Sequence, residues 1–111
     1  MSAVIYYGSY LPDHLETKFL KLKSELAGVT YNGTYKRPTY AMVFDYFINQ
    51  GYVICLDFSV DRFYAYISFE DKQMSLPLNF QERDVKWHEA ANAAIEKTIE
   101  LIEENVASKE R

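Results

Sequence analysis

Few residues in this chain could carry out chemistry, and their spacing works against it. His88-Glu89-Ala90-Ala91-Asn92 falls one residue short of His-Glu-x-x-His, the pattern in which two histidines one helical turn apart grip zinc beside a glutamate base. Asn92 stands where the second histidine would be, and the chain holds only 2 histidines and 1 cysteine: His14, His88 and Cys55. With scattered carboxylates these make no coherent ligand set, so neither a metal nor another cofactor is expected. A serine nucleophile would need a strand-to-helix Gly-x-Ser-x-Gly elbow, which is missing, and Cys55 could meet His88 only through folding. The 4 glycines are dispersed, so no loop cradles phosphate. The expectation is a protein that is not an enzyme.

Binding chemistry is better represented, because 10 tyrosines give broad contact area with a polar tip at little entropic cost. Residues 52–60 and 63–69 alternate as strands do, with Ile54, Leu56 and Phe58 on one face and Phe63, Ala65, Ile67 and Phe69 on one face of the next strand. That places Asp57, Ser59, Tyr64, Tyr66 and Ser68 on the opposite face. Asp57, Tyr64 and Tyr66, with Glu70 and Asp71 in the following turn, are the candidate partner-binding residues. The alternative is a further helix covering that face. A secondary candidate surface is Tyr31, Tyr35, Lys36 and Arg37, whose interleaved aromatic and basic side chains suit base stacking and phosphate contact. The chain's formal net charge of −4 weighs against nucleic acid and favours a protein with a basic surface. A small-molecule or enzymatic domain would instead recess His88, Cys55 or a carboxylate in a pocket beside tyrosines.

These residues need a scaffold. At 111 residues the chain fits one domain, spanning 1–111 with a frayed tail over 107–111. The opening lacks the basic and apolar regions of a signal peptide, and no window reaches a membrane span, so a cytoplasmic protein off the membrane is expected. Cys55 then reads as a small core hydrophobe, and Asn32-Gly33-Thr34 as a chance glycosylation match.

Residues 3–7 are rich in strand formers and stop at Gly8. Asp13 and Glu16 have capping-box spacing ahead of an apolar stripe of Leu15, Phe19, Leu22 and Leu26, which Gly28 ends. Asn32-Gly33 predicts a tight hairpin over 29–35. Residues 39–50 are apolar at nearly every position, but Tyr40, Val43, Phe44 and Phe47 keep helical spacing and Gly51 supplies a stop, so helix is preferred to a hairpin. Turns over 61–62 and 70–73 join the two strands to a third at 74–78, which Pro77 requires to lie at an edge or be bulged. Such an edge could pair with its copy in a homodimer, which Pro77 discourages. A last helix over 84–106 carries Ile95, Ile99, Ile102 and Val106, with Ala90, Ala91, Ala93 and Ala94 permitting close approach to a sheet. The sum is an α+β fold, an antiparallel sheet of three to four strands packed with two or three helices, in the order β-α-(β-hairpin)-α-β-β-β-α.

The segment Ala41-Met-Val-Phe-Asp-Tyr-Phe-Ile-Asn-Gln-Gly-Tyr52, the strand with Phe63-Tyr-Ala-Tyr-Ile67 and the helix Trp87-His-Glu-Ala-Ala-Asn-Ala-Ala-Ile95 together resemble small phage proteins of the ABA-sandwich, α-β-β-β-α, type over the C-terminal two-thirds. Together with small size, acidity and tyrosine richness, the resemblance implies a non-catalytic inhibitor of a host defence protein or nuclease, anti-CRISPR-like, acting in the host cytoplasm. An immunity protein neutralising a toxin has the same physical profile. Double-stranded-RNA-binding domains share the element order, but Glu82-Arg-Asp-Val-Lys-Trp-His-Glu89 lacks the clustered lysines that would grip phosphates.

Overall fold

The computed structural model describes residues 6–30, 37–59, 62–76 and 85–109. Its elements run α1 (Asp13–Ala27), α2 (Tyr40–Asn49), β1 (Tyr52–Ser59), β2 (Arg62–Phe69), β3 (Lys72–Leu76) and α3 (Trp87–Lys109). The expected α+β class holds, with three strands rather than four among the described residues.

The sheet is an antiparallel meander in the order β1-β2-β3, so β3 lies at an edge, while Pro77 and the rest of the strand expected over 74–78 lie outside the described residues. Its register pairs Ile54 with Ile67, Cys55 with Tyr66, Leu56 with Ala65 and Asp57 with Tyr64. The helices build a second layer on one face: α3 packs on all three strands, α2 against β1, and α1 against α3. Ala90, Ala91 and Ala94 are fully buried in that interface. Their small side chains let α3 lie close to Ala65 and Ile67, with Ile95, Ile99 and Ile102 completing the core. Lys18 on α1 and Glu96 on α3 form a 2.9 Å ion pair that holds the Lys18 pKa above its ordinary value.

Local chemistry departs from expectation in several places. Tyr6 and Tyr7 are helical, so the strand expected over 3–7 fails at its last two residues, and its remainder lies outside the described ones. Aromatic packing wins over strand propensity there, because Tyr6 stacks on Trp87 with ring centres 5.0 Å apart and Tyr7 meets the same indole edge-on at 5.3 Å. Helix α1 has Pro12 as its N-cap and no side-chain cap, so Asp13 and Glu16 form no capping box. Both carboxylates instead face the Arg37 guanidinium, at 3.6 and 3.5 Å. Gly28 ends the helix in the left-handed conformation, φ +73°.

The ambiguous segment 39–50 is helical. Thr39 caps it by accepting from Met42 N–H, and Gly51 follows Gln50 with φ +92°. Arg62 is the first residue of β2 rather than part of a turn, and the β2–β3 turn is only Glu70 and Asp71, since Lys72 and Gln73 already pair with Phe69 and Ser68. Glu70 takes the positive φ, 55°, that suits a two-residue hairpin to the twist of its strands. Helix α3 starts at Trp87 and continues to Lys109, past the point where fraying was expected. The Asn32-Gly33 hairpin falls on 31–36, outside the described residues, while Val29 and Thr30 are not in a strand.

Candidate functional site

Alternation along β1 and β2 divides the sheet into an inner face under the helices and an outer one. No described helix covers the outer face. On it stand Val53, Cys55 and Asp57 of β1, Tyr64, Tyr66 and Ser68 of β2, and Gln73 and Ser75 of β3, all exposed or half-exposed. Cys55 is thus a free, exposed thiol beside Tyr66 rather than a core hydrophobe. Strand register decides this: an odd-numbered β1 position points away from the helices whatever its hydrophobicity.

Tyr64 and Tyr66 lie on the same face, two residues apart, and their rings meet edge to face with centres 5.0 Å apart at 89°. The Tyr64 hydroxyl donates to Asp57 Oδ2 across the strand pair at 3.0 Å, and Asp57 Oδ1 accepts Phe58 N–H at 2.8 Å. Hydrogen bonding with Tyr66, then with Asp57, holds the Tyr64 phenol well above the ordinary tyrosine range. Three candidate residues therefore form one connected group.

Glu70 and Asp71 do not join it. They cap the far end of β2, six residues beyond Tyr64, or about 20 Å at the usual strand rise. The outer face is a tyrosine strip with Asp57 at one end and the Glu70–Asp71 turn at the other, and Arg62 lies on the same face. Of the secondary surface, Tyr31, Tyr35 and Lys36 lie outside the described residues. Arg37 is committed internally: beyond Asp13 and Glu16, it donates to the Leu11 carbonyl at 3.3 Å and lies 4.9 Å from the Tyr10 ring centre.

At the β1–β2 hairpin end a cleft of about 450 Å³ opens among the described residues. Tyr6, Phe58, Phe63 and Trp87 provide aromatic walls, and Asp57 is the one charged group of its described lining. Phe58 follows the inner-face alternation yet is 54% exposed. Tyr6 and Phe58 stand at 64° and 63° to the ring of Phe63, so the walls are not coplanar. Tyr6, Tyr7 and Asp57 share the described lining, Asp57 is exposed, and neither Cys55 nor His88 is part of it. Sequence reasoning missed this cleft because Tyr6, Phe63 and Trp87 come from three separate segments. The exposed end of an alternating strand, Phe58, was the only local signal.

His88 packs against the rings of Tyr6, Tyr40 and Trp87, and Asn92 accepts the Tyr40 hydroxyl at 2.5 Å. Asn92 thus tethers a buried tyrosine where the zinc motif would need a ligand. Among the described residues no three histidine, cysteine or acidic side chains converge as a metal site would require, and no helix is long and apolar enough to cross a membrane. The chain matches no protein-family model, and no curated protein or solved structure shows significant similarity to it.

Proposed function

We propose that this chain is a non-catalytic protein-binding module whose contact surface is the outer sheet face centred on Tyr64 and Tyr66, with a basic protein as its partner. The observation that carries this reading is the Asp57–Tyr64–Tyr66 group on a sheet face that no described helix covers. Tyrosines packed on one another and hydrogen-bonded to a rigid strand are already ordered, so less side-chain entropy is lost when a partner settles on them. The net charge of −4 and the carboxylates at both ends of the strip favour approach by a positive surface. An inhibitor of a host defence protein and an immunity protein would use such a face in the same way, and the identity of the partner separates them.

The test is capture of a partner from bacterial lysate by the wild-type chain and by Tyr64→Ala and Tyr66→Ala. Both side chains are half-exposed, so the variants should fold. The reading expects each to lose the captured protein at least about tenfold, as for central aromatic interface residues. Equal capture by both variants would reject it.

A further inference from the structure

The aromatic cleft at the hairpin end has the composition of a cation site. Ring faces attract a positive group through their quadrupole, and a carboxylate in the lining adds direct charge attraction. Tyr6, Phe58 and Phe63 offer ring surfaces in different planes, Trp87 forms the wall stacked behind Tyr6, and Asp57 is the charged residue of the described lining. Asp57 already accepts from Phe58 N–H and the Tyr64 hydroxyl, which fixes the carboxylate in place. These two bonds use part of a carboxylate's capacity of about four acceptor positions.

We infer that this cleft receives an arginine or lysine side chain of the protein bound on the outer face. The inference rests on the proposed binding role of that face and specifies how its partner is anchored. A partner chain lying over Tyr64 reaches Asp57 first, and Asp57 is the residue the face and the cleft share. An aromatic cleft alone would accept any apolar group, whereas a lining whose one charged residue among those described is Asp57 favours a positive group. Guanidinium fits best, since it stacks on rings while offering donors to Asp57.

The experiment is a nuclear magnetic resonance titration of the full isotope-labelled chain with acetyl-arginine methylamide, and with the citrulline counterpart of equal shape and no charge. Saturable shifts are expected at the Trp87 indole and at the Asp57 and Phe58 amides, with the citrulline compound at least about tenfold weaker. Phe58→Ala, at an exposed position, and Asp57→Asn should each weaken the arginine compound by a similar factor, while Glu104→Gln, which removes the same charge from the far part of α3, leaves it unchanged. Equal response to both compounds, or no effect of Phe58→Ala, would overturn the inference. Failure of the arginine compound while Tyr66→Ala still abolishes protein capture rejects the cleft assignment alone. Arginine binding with capture indifferent to Tyr66→Ala rejects the proposed face.

Discussion

The Tyr64 hydroxyl donates to Asp57 Oδ2 at 3.0 Å across the β1–β2 pair, while the other oxygen of the same carboxylate holds Phe58 N–H. One side chain thereby links the tyrosine strip to the aromatic cleft at its end. In both hydrogen bonds involving the Tyr64 phenol the neutral form is preferred, that with Tyr66 contributing most and that with Asp57 next. A pH titration followed on tyrosine ring resonances should find Tyr64 ionising above the ordinary value of about 10. Tyr66→Phe and Asp57→Asn should each bring it down. An unchanged Tyr64 titration in both variants would show that the group does not persist in solution.

Stability should fall on the alkaline side. Burial raises the phenols of Tyr40, Tyr46 and Tyr52, and Glu70 adds to the effect at Tyr52. A phenol with a folded pKa above its unfolded value of about 10 contributes its full stabilisation below that pH and loses it as pH rises through the folded value. Urea midpoints should therefore hold steady through neutral pH and decline above about pH 10. Tyr46→Phe should flatten part of the decline.

Asn92 has a structural task, and its loss should show as instability. Asn92→Ala leaves the hydroxyl of Tyr40, a residue only 1% exposed, without its acceptor. The expected cost is about 1–3 kcal/mol in chemical denaturation. Pairing Asn92→Ala with Tyr40→Phe should recover much of it, since the orphaned hydroxyl is then gone.

Arg37 draws the start of α1 toward the segment that enters α2. Its guanidinium contacts Asp13, Glu16, the Leu11 carbonyl and the Tyr10 ring, next to the antiparallel bridge between Tyr10 and Thr39. The ion pairs are half-exposed and long, so Arg37→Ala should cost only about 1 kcal/mol. Arg37→Lys should recover less than half, because a single ammonium cannot serve a carbonyl, two carboxylates and a ring face together.

The backbone at Gly51 offers a separate check on α2. An added Cβ would meet nothing within 4 Å, yet φ of +92° is unfavourable for any L side chain. Gly51→Ala should destabilise the fold by about 1 kcal/mol or more through strain alone, measured by thermal or urea unfolding.

Much of the scaffold was legible because local rules and burial agree. Gly28 and Gly51 end helices as their position implied, Ile54, Ala65 and Ile67 alternate inward, and the alanines of α3 face the sheet. The outer tyrosine face followed from the same alternation. Misreadings arose where a distant group outweighed a local preference. Trp87 holds Tyr6 and Tyr7 in a helical turn, and Arg37 faces the carboxylates that might have capped α1. Glu70 and Asp71 follow the strand of Tyr64 in sequence, but the length of β2 sets them at its far end. The cleft was invisible because its walls meet only after β2 and α3 are packed.

The central claim is that the outer sheet face makes the contact, and Cys55, the single cysteine and an exposed one next to Tyr66, gives direct access to it. Capture from lysate should be compared between the unmodified chain and one whose Cys55 carries a bulky maleimide, with Cys55→Ser exposed to the same reagent as control. The account predicts a defined basic protein that is retained by the unmodified chain and by the treated Cys55→Ser variant, and lost when Cys55 is blocked. Full retention of that protein by the blocked chain would contradict it.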